Sequence, residues 1–192
     1  IKNALYGTQQ VADTLFAPSV PYANIGLKPR EYDPQHAKSL LEQAGWTLPA
    51  GKTIREKAGQ PLHIELAYVG TDALSKSMSE IMQANMRQIG VDVALVGEEE
   101  SSIYARQRDG RFGMIFNRTW GAPYDPHAFM SSMRVPSHAD YQAQLGLPDK
   151  AQIDKEIGDV LISTDKTQRQ ELYRDILTRL HNEAVYLPIS YM

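Results

Sequence analysis

The sequence predicts an α/β fold, a three-layer lobe with a mainly parallel sheet flanked by helices. Segments with the two-residue alternation of a half-buried strand take turns with segments whose apolar residues recur every three or four positions, as in an amphipathic helix. The connections between strand segments are long enough for a helix, which favours parallel pairing through crossovers. We expect the sheet to contain residues 62–69, 91–96, 113–117 and 185–190. We expect the flanking helices near residues 34–44, 72–89, 150–162 and 168–183.

The composition is that of an ordinary globular protein. The chain has 192 residues, of which 42% are hydrophobic and 22% charged, so it can bury a sizeable core. The formal net charge is -3 and no basic run stands out, so we expect no nucleic-acid partner. The sequence contains no cysteine, which rules out disulfides, thiolate metal ligands and cysteine nucleophiles. A metal would need oxygen or imidazole ligands.

The first third of the chain is predicted to contain two helices and a strand. A short helix and then a long ordered loop are expected within residues 1–32, which are rich in proline and glycine. Asp33 and Pro34 begin the next helix as N-cap and first residue, and Gly45 follows its end. After an irregular stretch, residues 62–69 alternate as a strand does.

The middle of the chain continues the alternation of strands and helices. A helix from Thr71 carries a stripe of leucine, isoleucine and methionine, and Gly90 ends it. After the strand at 91–96, the acidic triplet at 98–100 is interpreted as the start of a short helix, because negative charge is favoured at that helix end. The strand at 113–117 follows.

The last third is predicted as a polar loop, two helices and a strand. The loop contains residues 137–141 and lies between two prolines. The second of the two helices is expected to begin with a capping box at residues 167–170. The apolar run at 185–190 predicts a final strand.

The turn at residues 118–127, Arg-Thr-Trp-Gly-Ala-Pro-Tyr-Asp-Pro-His, is the strongest candidate for a ligand site. It follows a predicted strand, and open α/β sheets bind ligands at the carboxyl ends of their strands. Trp120 and Tyr124 are large rings with polar edges on a backbone restricted by prolines, which suits binding of a small molecule. Burial of both rings in the core is the alternative. Asp125 and Pro126 are expected to be the cap and first residue of a helix.

Two residue pairs are weak candidates for catalysis. Asp125 with His127, or His138 with Asp140, could supply a base and an orienting carboxylate. The sequence has no nucleophile elbow, no His-Glu-x-x-His motif and no glycine-rich phosphate loop. We therefore expect no enzymatic activity, and a hydrolase that uses His138 and Asp140 is the alternative from another functional class.

The histidines form no recognisable metal motif. There are 5 of them, and none lies at i,i+4 spacing from another or in a short ligand cluster. A single imidazole could still complete the shell of a metal that arrives already chelated. His138, in the polar loop, is the candidate for that role, and a surface histidine without a ligand role is the alternative.

Several motifs resemble those of a known family. They are Tyr6-Gly7-Thr8-Gln9-Gln10, the helix between Asp33-Pro34 and Ala44-Gly45-Trp46, and the turn at 118–126. Together they resemble the peptide and nickel class of solute-binding proteins of ATP-binding-cassette (ABC) importers. The segments at 103–112 and 134–140 resemble the nickel-binding branch of that class. The resemblance extends through essentially the whole chain.

The resemblance implies two α/β lobes around a cleft that closes on the ligand. Residues 1–192 would be a single C-terminal ligand-binding lobe, a fragment of a larger two-lobe protein. The N-terminal lobe, and a final segment that returns to it, would then be missing. The start at Ile1 and the stop at Met192 look cut, in keeping with this expectation.

The resemblance also implies a function in the periplasm. The protein would capture nickel as a chelate with a small organic metallophore and deliver it, as a monomer, to an inner-membrane ABC permease. No covalently bound cofactor is implied. Trp120 and Tyr124 would line the cleft, Tyr104 would lie near it, and His138 would ligate the metal. Oligopeptide binding in the same class is the alternative, and it would not need His138.

Overall fold

A computed structural model describes residues 7–191 of the chain. Its strands are β1 (Gln10–Val11), β2 (Glu56–Lys57), β3 (Gln60–Pro61), β4 (His63–Val69), β5 (Asp92–Glu98), β6 (Met114–Ile115) and β7 (Ser190–Tyr191). Its α-helices are α1 (Pro34–Gln43), α2 (Ala73–Gln88), α3 (Glu100–Asp109), α4 (His127–Met130), α5 (Ala139–Gln144), α6 (Lys150–Ile162) and α7 (Lys166–Asn182). A 3-10 helix, Ser131–Arg134, follows α4.

The chain divides into two compact units, which we call the sheet unit and the helical unit. The sheet unit comprises residues 31–107 and 111–116. The helical unit comprises the other described residues, 7–30, 108–110 and 117–191. The expectation that residues 1–192 form one lobe of a larger protein stays a prediction.

The sheet unit contains a parallel three-stranded sheet in the order β5-β4-β6. β4 pairs with β5 along its whole length, from His63 opposite Asp92 to Val69 opposite Glu98. On the other side β4 pairs with β6, with Leu66 opposite Met114. The predicted parallel pairing of the first three strand segments is therefore confirmed, and with it the α/β class.

Gly113 allows β6 to approach β4 closely. A Cβ atom added at Gly113 would lie 2.6 Å from Cγ2 of Ile64 and 3.0 Å from the main-chain oxygen of Glu65. Both distances are shorter than van der Waals contact, so a larger residue would require β6 to shift. Glycine inside or beside a strand commonly marks such a close backbone approach.

The caps of the first two helices of the sheet unit agree closely with the sequence. The Asp33 carboxylate accepts a hydrogen bond from the His36 N–H at 2.9 Å, as predicted. The next helix begins at Ala73, and its N-cap is Asp72, one residue after the predicted Thr71. The Asp72 carboxylate accepts from the N–H groups of Leu74 and Ser75 at 3.0 and 3.3 Å. An ionised carboxylate is a strong acceptor for these N–H groups.

The prediction that the whole acidic triplet begins α3 is only partly correct. Glu98 is the last residue of β5, and its carboxylate accepts from Nε and Nη2 of Arg106 at 2.9 and 2.8 Å. These hydrogen bonds lower the pKa of Glu98. Glu100 alone of the triplet lies in the first turn of α3. The strand continues further than periodicity indicated because β4 offers it a partner over seven residue pairs.

The helical unit has its own core, formed by α4, the 3-10 helix, α6, α7 and part of the segment 7–30. The buried side chains of this core are Phe16, Val20, Ala23, Phe129, Met130, Met133, Ile153, Ile157, Val160, Tyr173, Ile176, Leu177 and Leu180. The observed bounds of α6 match the prediction. α7 begins two residues early, at Lys166, because the Asp165 carboxylate accepts from the N–H groups of Thr167 and Gln168 at 2.7 and 3.1 Å. The predicted capping box was therefore wrong.

The predicted fourth strand of the parallel sheet was also wrong. Only Ser190–Tyr191 of the final apolar run is a strand, and it pairs antiparallel with β1 in the helical unit. An apolar run indicates a buried strand but does not identify its partner.

The short helix predicted near the start of the chain is not found in residues 7–33. Residues 1–6, including Tyr6, lie outside the described part of the chain. No helix in the described part is both long and apolar enough to cross a membrane.

Candidate functional site

The turn at 118–127 presents two aromatic rings at the surface of the helical unit. Trp120 and Tyr124 are 56% and 54% exposed, so the alternative that both are core residues was wrong. Their ring centroids are 5.6 Å apart with the ring planes tilted by 54°. The Tyr124 N–H donates to the Gly121 carbonyl at 3.2 Å, which closes the turn between the two rings. The rings therefore form one exposed aromatic pair.

The carboxyl end of this turn is anchored to α7. Asp125 Oδ2 accepts from Nη2 of Arg169 at 2.7 Å, and Asp125 Oδ1 accepts from the His127 N–H at 3.0 Å. The helix α4 begins at His127 with Pro126 as its N-cap, one residue later than predicted. Asp125 still satisfies an N–H at the helix start, so the expected capping function is present.

His127 is partly buried, and its ring atom Nε2 is fully buried without a hydrogen-bond partner. Burial lowers the pKa of His127; the charge of Asp125 opposes this shift, while Arg169 and Arg134 add to it. Asp125 contacts the main chain of His127 and the guanidinium of Arg169. Asp125 therefore caps the start of α4 and forms an ion pair with Arg169. It does not orient the His127 imidazole, so the catalytic hypothesis for Asp125 and His127 is not supported.

His138 lies at the surface, at the N-cap position of α5. This helix was not predicted, because its six residues give too short a pattern for a periodicity argument. The His138 N–H donates to the Val135 carbonyl at 2.9 Å, and its carbonyl accepts from the Gln142 N–H at 3.2 Å. The backbone of His138 is therefore held at both sides, and its imidazole makes no capping hydrogen bond.

The described residues contain no group of three His, Asp or Glu side chains that could hold a metal ion by themselves. A single imidazole is a weak metal site on its own, since divalent transition metals take four or more ligands. What the arrangement around His138 can offer is one nitrogen ligand to a metal whose other ligands come from elsewhere.

Asp140, two residues after His138, is only 3% exposed. Its carboxylate accepts from Asn117 Nδ2 at 3.0 Å, from Ser132 Oγ at 3.1 Å and from the Tyr186 hydroxyl at 3.1 Å. Burial raises the pKa of Asp140, and the hydrogen bonds from Tyr186 and Ser132 act in the opposite direction. The Asp140 carboxylate is hydrogen-bonded to these three partners and not to the imidazole of His138. The arrangement therefore does not support the hypothesis that His138 and Asp140 act as a catalytic base and its orienting carboxylate. No motif in the sequence indicated this network.

Tyr104 lies on α3, in the sheet unit, and is also exposed. Its hydroxyl donates to Glu100 Oε1 at 2.9 Å, and this hydrogen bond raises the pKa of Tyr104. Trp120, Tyr124 and His138 belong to the helical unit. A position of Tyr104 near the ligand stays a prediction.

Comparison with known proteins identifies the family. Residues 1–141 match the model of the middle region of the bacterial extracellular solute-binding proteins, family 5. The chain is 82% identical over 192 residues to the nickel-binding periplasmic protein of Escherichia coli (strain K12), covering 100% of this chain and 37% of that protein. It is 28% identical over 158 residues to the periplasmic oligopeptide-binding protein OppA of Salmonella typhimurium, covering 82% of this chain and 26% of that one.

A solved structure agrees with these similarities. NikA from Brucella suis in complex with Fe(III)-EDTA has a TM-score of 0.96 and 73% sequence identity to this chain, covering 100% of it and 39% of that chain. The chain thus spans well under half the length of each of these proteins. From its match to the family model over most of its length, the chain belongs to the bacterial extracellular solute-binding proteins of family 5.

Proposed function

We propose that the chain is part of a periplasmic solute-binding protein that captures nickel as a chelate with a small organic molecule. The protein delivers this complex to an inner-membrane ABC permease and catalyses no reaction. The observation that carries the proposal is that His138 is exposed, on a hydrogen-bonded backbone, in the same unit as the exposed pair Trp120 and Tyr124. The 82% identity to a nickel-binding periplasmic protein supports it.

Each of these residues has a distinct task in the proposal. The rings of Trp120 and Tyr124 provide apolar area, and their N–H and O–H groups can donate to the chelator. The neutral imidazole of His138 provides a nitrogen ligand that suits Ni²⁺. The chelator provides the remaining ligands, because the described residues offer no three-ligand cluster. The relative solved with Fe(III)-EDTA also holds its metal inside an organic chelator.

The rest of the site belongs to a second lobe in this proposal. A binding site for a small molecule buries most of the ligand's surface, and one exposed wall does not do so. We infer that an N-terminal lobe closes over the chelate and supplies cationic groups for its carboxylates. Tyr104 is kept in this proposal as a ligand-binding residue of the sheet unit. The protein acts as a monomer.

Oligopeptide binding is the second candidate, and the 28% identity to OppA favours it. An extended peptide can be captured through hydrogen bonds between its main chain and the protein, and this type of binding requires no imidazole. The two candidates therefore differ in whether a metal is needed for binding.

The test uses an extended chain, in which this sequence is joined to the remaining residues of the 82% identical relative. Calorimetric titrations compare Ni²⁺ alone, Ni²⁺ with free L-histidine, and a mixture of short peptides. We expect the tightest binding for Ni²⁺ with L-histidine. Binding of peptides with no dependence on the metal would overturn the nickel proposal in favour of peptide capture.

A matched pair of variants tests the role of the aromatic rings. Trp120→Ala should weaken the binding of Ni²⁺ with L-histidine by tenfold or more, on the order of the loss expected for an aromatic contact residue. Tyr32→Ala is the control, because Tyr32 is an exposed aromatic residue in the sheet unit, away from the turn in sequence. Equal losses for the two variants would contradict the placement of the ligand.

A further inference from the structure

The buried carboxylate of Asp140 connects the two parts of the proposed site within the helical unit. Asn117 directly precedes the turn at 118–127, and its side-chain amide has two contacts. Its Nδ2 donates to Asp140 Oδ2 at 3.0 Å, and its Oδ1 accepts from the Arg118 N–H at 2.9 Å. One amide group therefore links the first residue of the turn to the second residue of α5, whose N-cap is His138.

Two further contacts hold the same carboxylate. Ser132 Oγ lies 3.1 Å from Asp140 Oδ2 and 2.8 Å from the Phe129 carbonyl, so the carboxylate and the end of α4 share its one hydroxyl proton. The Tyr186 hydroxyl donates to Asp140 Oδ1 at 3.1 Å and accepts from Gln144 Nε2 at 2.8 Å. Asp140 is thus bound to the segment before the turn, the helix after the turn and the segment after α7.

A buried, hydrogen-bonded carboxylate is not needed to stabilise a core. A buried carboxylate must be desolvated, and apolar residues of similar volume are often equally or more stabilising. Hydrogen bonds differ from apolar packing in being directional, so they define a relative position of the groups they join. The position defined here is that of the α5 start relative to the turn.

We propose that Asn117 and Asp140 are positioning residues for the chelated metal. Their hydrogen bond sets the position of His138 relative to Trp120 and Tyr124, so that one ligand contacts the imidazole and both rings at once. The inference rests on the proposed function of nickel-chelate capture. Displacement of a metal ligand by about an ångström is enough to weaken such a site, which is why groups behind the ligands affect affinity.

A double-mutant cycle on the extended chain tests the inference. The affinity for Ni²⁺ with free L-histidine is measured for the unaltered protein, Asn117→Ala, His138→Ala and the double variant. Asn117→Ala should lower the affinity by about tenfold when His138 is present, the lower end of the effect known for groups that orient metal ligands. In the His138→Ala background it should change the affinity by less than about twofold, because there is no imidazole left to position.

A merely structural role of Asn117 predicts a different result. Asn117→Ala would then reduce the affinity by the same factor with and without His138, and this outcome overturns the inference while the proposed function stands. If the unaltered extended chain does not bind Ni²⁺ with L-histidine, the proposed function fails and the inference fails with it. The two failures are therefore distinguishable in one set of titrations.

A control and a second variant keep the test decisive. Gln170→Ala removes a part-buried amide in the same unit that donates to the Tyr22 carbonyl at 3.2 Å, and it should leave the affinity unchanged. If Asn117→Ala fails to fold, as judged by thermal melting, Ser132→Ala replaces it in the cycle, because it also removes one hydrogen bond to Asp140. The same pattern is expected, a loss that depends on His138, and a loss independent of His138 overturns the inference.

Discussion

Arg169 on α7 donates to the carboxylate of Asp125 over 2.7 Å, and this ion pair ties the last long helix to the turn that carries the aromatic rings. Arg169 is only 18% exposed, and its Nη1 also donates to the carbonyls of Val160 and Ser163 at 2.6 and 3.3 Å. Its guanidinium carbon lies 5.5 Å from the centre of the Tyr22 ring. One side chain thus joins the site to the end of α6 and to the core.

Replacement of Arg169 should therefore destabilise the protein more than loss of a surface ion pair. We expect Arg169→Met to lower the free energy of unfolding by about 2–4 kcal/mol, because it removes the charged partner of a part-buried carboxylate and a hydrogen-bond donor to two carbonyls. Lys155→Met is the control, since the Lys155–Asp159 pair is solvent-screened at the surface and its loss should have a much smaller effect. Urea denaturation of both variants measures the difference. Equal effects would show that the Arg169 contacts contribute no more than an exposed pair does.

His138→Ala should separate ligand binding from stability. In the extended chain we expect the affinity for Ni²⁺ with L-histidine to fall by about tenfold or more, because the proposed metal ligand is lost. The melting temperature should hardly change, because substitutions of exposed residues usually alter stability by less than about 0.5 kcal/mol. His36→Ala, at another exposed histidine, should change neither quantity. Unchanged affinity would return His138 to the role of an ordinary surface histidine.

Fe(III)-EDTA, the complex present in the structure of the Brucella suis relative, is a second test compound for the same variant. EDTA is a hexadentate chelator, so it can fill the shell of its metal and needs little from a protein imidazole. His138→Ala should therefore weaken the binding of Fe(III)-EDTA much less than that of Ni²⁺ with L-histidine. A similar loss for both would mean that the imidazole contacts the chelator, not the metal.

His127 should make the protein less stable in mild acid. Its pKa in the folded protein is lowered by burial from the ordinary value of 6.5, so the folded state takes up a proton less readily than the unfolded state. The contribution of His127 to stability is therefore fully present when the pH is above the ordinary pKa of 6.5. It is lost as the pH falls through the lowered pKa of the folded state.

His127→Gln tests this pH dependence. The free energy of unfolding, measured in urea at about pH 7.5 and at about pH 5.5, should fall less between the two values in the variant than in the unaltered chain. The decrease in the free energy of unfolding that remains in the variant comes from other titratable groups. An identical fall in both proteins would contradict a lowered pKa for His127.

Gly113→Ala should strain the sheet unit. The added Cβ would lie 2.6 Å from Ile64 Cγ2 and 3.0 Å from the main-chain oxygen of Glu65, so β6 must move away from β4. We expect a loss of about 1–3 kcal/mol in the free energy of unfolding, the usual range for overpacking. Gly121→Ala is the matched control, because a Cβ there meets no atom within 4 Å and its φ is not positive. Equal stability of the two variants would show that β6 accommodates the methyl group freely.

The present chain and the extended chain should differ strongly in affinity. In the proposed function, residues 7–191 contribute one wall of a cleft, and affinity depends on enclosing the ligand between preorganised groups. Calorimetry should therefore give much weaker binding of Ni²⁺ with L-histidine to the present chain alone. Equal affinities would mean that Trp120, Tyr124 and His138 form a complete site without a second lobe.

The sequence by itself determined the elements that depend on local signals. Asp33 before Pro34 indicated the start of α1, since a cap and its N–H groups lie within four residues of each other. The periodicity of α6 was sustained over thirteen residues, which is long enough to give its bounds. The pair Trp120 and Tyr124 was recognised for the same reason, because both rings lie in one short turn.

Only the tertiary structure decided which distant segments meet. The apolar run at 185–190 indicated a strand, but its pairing with β1 joins opposite ends of the chain. The contacts of Asp125 with Arg169 and of Asp140 with Tyr186 span 44 and 46 residues. Periodicity and caps describe the faces and ends of single elements, whereas the choice of a partner depends on which surfaces remain to be buried after all the elements have formed. That choice fixes where Asp140 lies, and hence the hydrogen bonds that hold the backbone beside His138.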